Sequence, residues 1–78
     1  MNYDLAIMAL DGLARSPLRV TRDGSEVVIE ADGPSFKELA RLCLLLGGAN
    51  AVDDAFELQS GTHVTGESPT LRLKLRTE

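Results

Sequence analysis

The fold is decided by the stretch Pro-Ser-Phe-Lys-Glu-Leu-Ala-Arg-Leu-Cys-Leu-Leu-Leu-Gly-Gly, residues 34–48. It predicts one helix with both ends marked. Ser35 can accept a backbone N–H as the N-cap, and Glu38, three residues later, can complete a capping box. Gly47 can adopt the left-handed conformation that ends a helix. We therefore expect the chain after Ser16 to be arranged around this helix.

One face of the predicted helix is expected to rest on a sheet. Its apolar members are Phe36, Leu39, Ala40, Leu42, Cys43 and Leu46. Lys37, Glu38 and Arg41 take the opposite side, and at about 100° per residue Leu45 falls among them. Leu45 therefore needs a cover. The candidates are the N-terminal helix, a second copy of the chain, or a partner protein.

The segments on either side of this helix predict strands. Residues 18–31 predict a hairpin around Asp23-Gly24, because that pair favours a tight turn between β-branched runs. Residues 55–59 predict a short strand, and residues 70–76 a longer one with strict alternation of leucines and cations. This order predicts an α+β domain. Residues 18–78 would form an antiparallel sheet of about four strands (ββαββ), with the helix packed on one face.

Residues 1–16 predict an additional N-terminal helix that ends at Ser16-Pro17. Its helical face consists of Tyr3, Ala6, Ile7, Leu10, Leu13 and Ala14. Leu5 and Met8 add apolar side chains off that face, so the helix is apolar on more than one side. Two interpretations follow: the helix covers the core of its own chain, or it contacts a neighbouring chain, for example in a homodimer.

Composition limits the classes of function. A chain of 78 residues predicts one domain, residues 1–78. The formal charge of −4 argues against nucleic acid or an anionic membrane as partner and favours a basic protein. Cys43 is the only cysteine, so no intrachain disulfide forms. The start of the chain has neither a basic leader nor a long apolar run, so we expect a cytoplasmic protein with no membrane span.

Few residues offer chemistry. His63 is the only histidine and falls in a predicted loop, and Cys43 lies among leucines, which predicts a buried, inert thiol. No motif indicates a metal, a cofactor or a catalytic group, so we expect a protein that is not an enzyme. The densest acidic group comprises Asp53, Asp54, Glu57 and Glu67. It is either a solvated edge or, together with Leu45, a surface for a basic protein partner.

Residues 19–76 resemble one of the small immunity-protein families of bacterial polymorphic toxin systems, the one numbered thirty-two. The resemblance rests on the hairpin ending Val-Val-Ile-Glu-Ala-Asp, on the Ser-Phe-Lys-Glu-Leu-Ala-Arg-Leu-Cys-Leu-Leu-Leu helix, on the short strand at 56–58, and on Ser68-Pro69-Thr70-Leu71. It implies a cytoplasmic inhibitor that binds and blocks a cognate toxin without catalysis. That family tends to carry histidine in the strand after the helix, whereas His63 lies in the loop beyond it, so no role of that histidine is transferred.

Two functions from different classes therefore remain open besides an enzyme. The first is a protein-binding module that neutralises a basic toxin domain, such as a nuclease. The alternative is a small self-associating accessory or regulatory domain that uses residues 1–16 and Leu45 as its contacts.

Overall fold

The computed structural model describes residues 2–48 and 54–76. It confirms an α+β fold and the predicted order of the elements. The elements are α1 (Asn2–Arg15), β1 (Arg19–Asp23), β2 (Glu26–Glu30), α2 (Gly33–Gly47), β3 (Ala55–Leu58) and β4 (Leu71–Lys74). Neither of these two helices is long and apolar enough to cross a membrane.

The strands form two separate antiparallel pairs, β1 with β2 and β3 with β4. The expected four-stranded sheet is not seen within residues 2–48 and 54–76. The loop of residues 59–70, which we call the bridging loop, contacts the start of β1 instead. The Leu18 amide donates to the His63 carbonyl at 3.0 Å, and the Thr65 amide donates to the Leu18 carbonyl at 2.8 Å. Leu18 and Val64 thus form a single parallel bridge. Because the loop satisfies the backbone groups of Leu18, no further strand is needed there.

A buried serine hydroxyl joins the same two halves of the chain. The Val20 amide donates to Ser68 Oγ at 2.9 Å, and Ser68 Oγ lies 2.6 Å from Thr65 Oγ1. Ser60 Oγ donates to the Ser68 carbonyl at 2.7 Å, which fixes the loop from its other side. The loop is therefore held by hydroxyl groups rather than by a β-ladder.

The first hairpin confirms the predicted strands but shifts the turn by one residue. Asp23 pairs with Glu26, so the two loop residues are Gly24 and Ser25. Gly24 has φ of +64°, and no described residue other than glycine has positive φ. Glycine at the first central position with ordinary φ at the second matches a type II′ turn, whose twist suits a hairpin.

The N-cap of α2 is Asp32, and the prediction of Ser35 was wrong. Asp32 Oδ1 accepts the Ser35 amide at 2.8 Å, and Asp32 Oδ2 accepts the Ser16 hydroxyl at 2.9 Å. The helix begins earlier than expected because Pro34, which lacks an N–H, is tolerated in a first turn. Ser35 is instead buried and donates its hydroxyl to the Ser16 carbonyl at 2.7 Å. These bonds tie the end of α1 to the start of α2.

The C-terminal end of α2 also differs from the prediction. Gly47 is the last helical residue and is not left-handed, and Gly48 follows it in an extended conformation with φ of −75°. The predicted capping box is likewise absent, because Glu38 pairs with Arg41 at 2.7 Å.

The buried face of α2 is rotated toward Leu45 relative to the prediction. Ser35, Leu42 and Leu46 are buried, and Leu45 is half-buried, whereas Phe36 is exposed. Ala40 and Cys43, also expected to face inward, are exposed as well. The reason is that α1 packs directly on α2 and supplies part of its cover.

The core lies where α1, α2 and the bridging loop meet. Its buried apolar members are Ala6, Ala9, Leu13, Leu18, Val20, Leu42, Leu46, Phe56, Leu58 and Val64. The predicted face of α1 is correct for Ala6, Leu10 and Leu13, whereas Ile7 and Ala14 are exposed. Ala6, Ala9 and Leu13 of α1 thus contribute to the core of their own chain.

Candidate interaction surface

A groove of about 450 Å³ runs between the outer sides of α1 and α2. It is lined by Leu5, Met8, Asp11, Arg15, Glu38 and Arg41. Leu5 is 46% exposed and Met8 is 65% exposed, so both are available for contact. We call these six residues the α1–α2 groove.

Charged pairs stand on both walls of the groove. Asp11 pairs with Arg15 one turn later on α1, and Glu38 Oε1 pairs with Arg41 at 2.7 Å on α2. Each pair neutralises itself within its own helix. The groove therefore offers an apolar strip beside side chains that can donate or accept hydrogen bonds, without a net charge.

A glycine in the middle of α1 leaves room for the Glu38 side chain of α2 at this groove. A Cβ added at Gly12 would lie 2.8 Å from Glu38 Oε2 and 3.0 Å from Glu38 Cγ and Cδ. Such distances are too short for van der Waals contact, so only glycine leaves room for the Glu38 side chain in this position. The exposed fraction of the Glu38 side chain is accordingly only 24%.

Leu45, predicted as a partner contact, is partly covered by its own chain. It is half-buried and packs against the core. It also borders a second, shallower depression of about 230 Å³, together with Leu5, Arg41 and Leu44. The cover that the sequence required for Leu45 is therefore supplied in part by α1 of the same chain.

The predicted acidic group is spread over two elements. Asp53 lies outside the described residues. Asp54 and Glu57 are exposed at β3, and Glu57 stands directly opposite Arg72 in the register of β3 and β4. Glu67 lies in the bridging loop, 3.5 Å from the guanidinium of Arg19. Two of the described carboxylates thus face cations.

The two residues with the most reactive side chains have no catalytic partner in the part of the chain that the structure describes. His63 Nδ1 accepts the Gln59 amide at 3.1 Å, so its ring stabilises the bridging loop. Cys43 is exposed, contrary to the prediction of a buried thiol. Neither residue lines the groove or the adjoining depression. Across residues 2–48 and 54–76, no group of three His, Cys, Asp or Glu side chains could hold a metal ion.

Part of the groove was visible in the sequence. The sequence marks Leu5 and Met8 as apolar residues off the helical face. It does not mark Asp11 or Arg15 as groove residues, whereas Gly12 carries one signal, since a glycine inside a predicted helix often has a packing reason. Comparison with family models, with curated proteins and with solved structures found no match.

Proposed function

We propose that this chain is a non-enzymatic protein-binding module that receives its partner in the α1–α2 groove. The observation that carries the proposal is the exposure of Leu5 and Met8 next to one another at the mouth of a groove, with an ion pair on each wall. Apolar side chains that are exposed together in a concave site favour a protein contact over a solvated surface.

The groove suits an apolar segment of a partner that also carries hydrogen-bonding groups. Burying Leu5 and Met8 under the partner supplies the hydrophobic contribution. The outer groups of Arg15 and Arg41 can bond to partner side chains or carbonyls and so fix its orientation. A segment inserted between two helices uses the same physics as a helix bound in a groove.

The specific form that we propose is neutralisation of a bacterial toxin in the cytoplasm. The support is the resemblance of residues 19–76 to an immunity-protein family, together with the net charge of −4. An acidic inhibitor is attracted to a basic toxin domain, which accelerates their association. The exposed carboxylates of Asp54, Glu57 and Glu67 contribute to the negative electrostatic potential of the chain, and Asp53 adds to its net charge.

The experiment is co-expression with the product of the adjacent gene, scored by growth and by co-purification. We expect the wild-type chain to rescue growth and Met8→Glu to lower affinity at least tenfold, because a charge would enter the apolar strip. The control is Val27→Glu in β2 of the first hairpin, since Val27 is 67% exposed and Met8 is 65% exposed. Equal effects of the two substitutions would reject the groove as the binding site. A non-toxic neighbour, or no rescue by the wild type, would reject toxin neutralisation.

A further inference from the structure

The outward side of α2 carries a row of apolar residues that the rest of the described chain, residues 2–48 and 54–76, leaves exposed. Its exposed members are Phe36, Ala40, Cys43, Leu44 and Gly47. Phe36 is 42% exposed and Leu44 is 74% exposed. We call this set the α2 outer face. It does not include the groove wall, which is formed by Glu38 and Arg41, although Leu44 also borders the shallower depression beside the groove.

The α2 outer face is complementary to itself in shape. Ala40, Cys43, Leu44 and Gly47 have the i, i+3, i+4, i+7 spacing that makes a hole between side chains on a helix, and three of the four are small. Phe36 lies one turn before this hole and has the size of a knob. If two α2 helices cross in antiparallel orientation at Ala40, each Phe36 enters the hole of the other helix.

The charges also favour this orientation. Helix α2 has no basic residue in its last turn, so the partial negative charge of its terminal carbonyls is not offset there. Lys37 is exposed near the start of the same helix, beside Phe36. In the antiparallel arrangement, Lys37 of each copy comes beside the last turn of α2 in the other copy. A parallel arrangement would instead bring the two Lys37 side chains together.

We infer that a second copy of this chain docks on the α2 outer face, with the two α2 helices antiparallel and crossing at Ala40. This surface is distinct from the one predicted from the sequence, since Leu45 and α1 face away from the twofold axis. The inference does not depend on the proposed function. It leaves the α1–α2 groove of each copy open, so a dimer could present two grooves.

The first test measures solution mass over a series of concentrations. We expect the wild type to reach twice the chain mass of 8.4 kDa and Ala40→Glu to remain a monomer with unchanged helical content, because Ala40 is exposed in the single chain. Met8→Glu, also at an exposed helical position, should dimerise like the wild type. A wild type that is monomeric at all concentrations, or an Ala40→Glu variant that still dimerises, would overturn the inference.

The second test locates the axis by oxidation of introduced cysteines in a Cys43→Ser background, which removes the only native thiol. Ala40→Cys should form an intermolecular disulfide readily. Phe36→Cys should not, because positions 36 of the two copies would be separated by about 12 Å along the helix axis, at a rise of about 1.5 Å per residue. Equal cross-linking at both positions would contradict the antiparallel crossing at Ala40.

Partner binding in the groove and dimerisation through the α2 outer face can be rejected independently of each other. The monomeric Ala40→Glu variant should still bind the partner through the groove, and Met8→Glu should still dimerise. Loss of partner binding in the Ala40→Glu variant would show that the partner requires the α2 outer face and would overturn the separation of the two surfaces.

Discussion

Gly12→Ala gives the sharpest test of how α1 and α2 pack. In a helix interior, alanine is favoured over glycine by about 0.8–1.0 kcal/mol. At Gly12, however, the new methyl group would lie 2.8 Å from Glu38 Oε2 and 3.0 Å from its Cγ. The Glu38 side chain must therefore move and give up its 2.7 Å pair with Arg41. A helix pair of this kind contributes about 0.3–0.5 kcal/mol, so the net gain from Gly12→Ala should fall to roughly 0.3–0.7 kcal/mol.

The gain should be recovered when Glu38 is shortened. In a Glu38→Ala background, Gly12→Ala should raise the free energy of unfolding by the full ~0.8–1.0 kcal/mol. That corresponds to several degrees in Tm, at about 4–8 °C per kcal/mol for a chain of this size. The coupling between the two substitutions is then at least roughly 0.3–0.5 kcal/mol. Urea and thermal unfolding of the four variants, followed by circular dichroism, measure it.

A control separates close packing from helix propensity. Gly33→Ala introduces a methyl group with no atom within 4 Å, so its effect should be the same with or without Glu38. If Gly12→Ala also gives equal increments in both backgrounds, the Glu38 side chain does not lie against Gly12 as described.

Two further predictions concern the bonds that hold the helices and the loop. The pKa of Asp32 lies below its ordinary value of 3.8, chiefly because its carboxylate accepts the Ser35 amide. The contribution of Asp32 to the free energy of unfolding should be complete above pH 3.8 and should be lost as the pH falls through the lower pKa of the folded state. Asp32→Asn keeps an N-cap but has no carboxylate to titrate, so it should lack this loss. Unfolding measured over a series of acid pH values tests the difference. Ser68→Ala should cost roughly 1–3 kcal/mol in urea unfolding, because the buried Val20 amide loses its acceptor. Ser25→Ala in the exposed turn should change stability by less than about 0.5 kcal/mol, and an equally small effect of Ser68→Ala would show that the hydroxyl does not join the two halves.

Local patterns in the sequence predicted the elements well because each element is encoded within a few residues. The two helices, the first hairpin and the alternating last strand all follow from periodicity and turn signals. The sequence-based prediction places the N-cap of α2 at Ser35, three residues after the observed N-cap, Asp32. Both residue types are good N-caps, and the local sequence alone does not choose between them. Gly24 was recognised as a turn residue, but its place in the turn depends on the strand register.

Long-range features were not predictable in the same way. The four-stranded sheet was expected because consecutive strands usually pair, but the chain uses hydroxyls of Ser60 and Ser68 to fix a loop beside β1 instead. The buried face of α2 depends on where α1 lies, and nothing in the periodicity of α2 gives that direction. For this reason Cys43 was predicted to be buried and is exposed, while the cover over Leu45 was left open between three candidates.

The bridge between Leu18 and Val64 has a consequence for the order in which the chain folds. The first hairpin joins residues that are close in sequence, and a hairpin of this kind forms within microseconds. The bond from Val20 to Ser68 spans 48 residues, so closing it requires a larger loss of chain entropy. We therefore expect Ser68→Ala to accelerate unfolding with little effect on the folding rate, which is the kinetic signature of a contact made after the transition state.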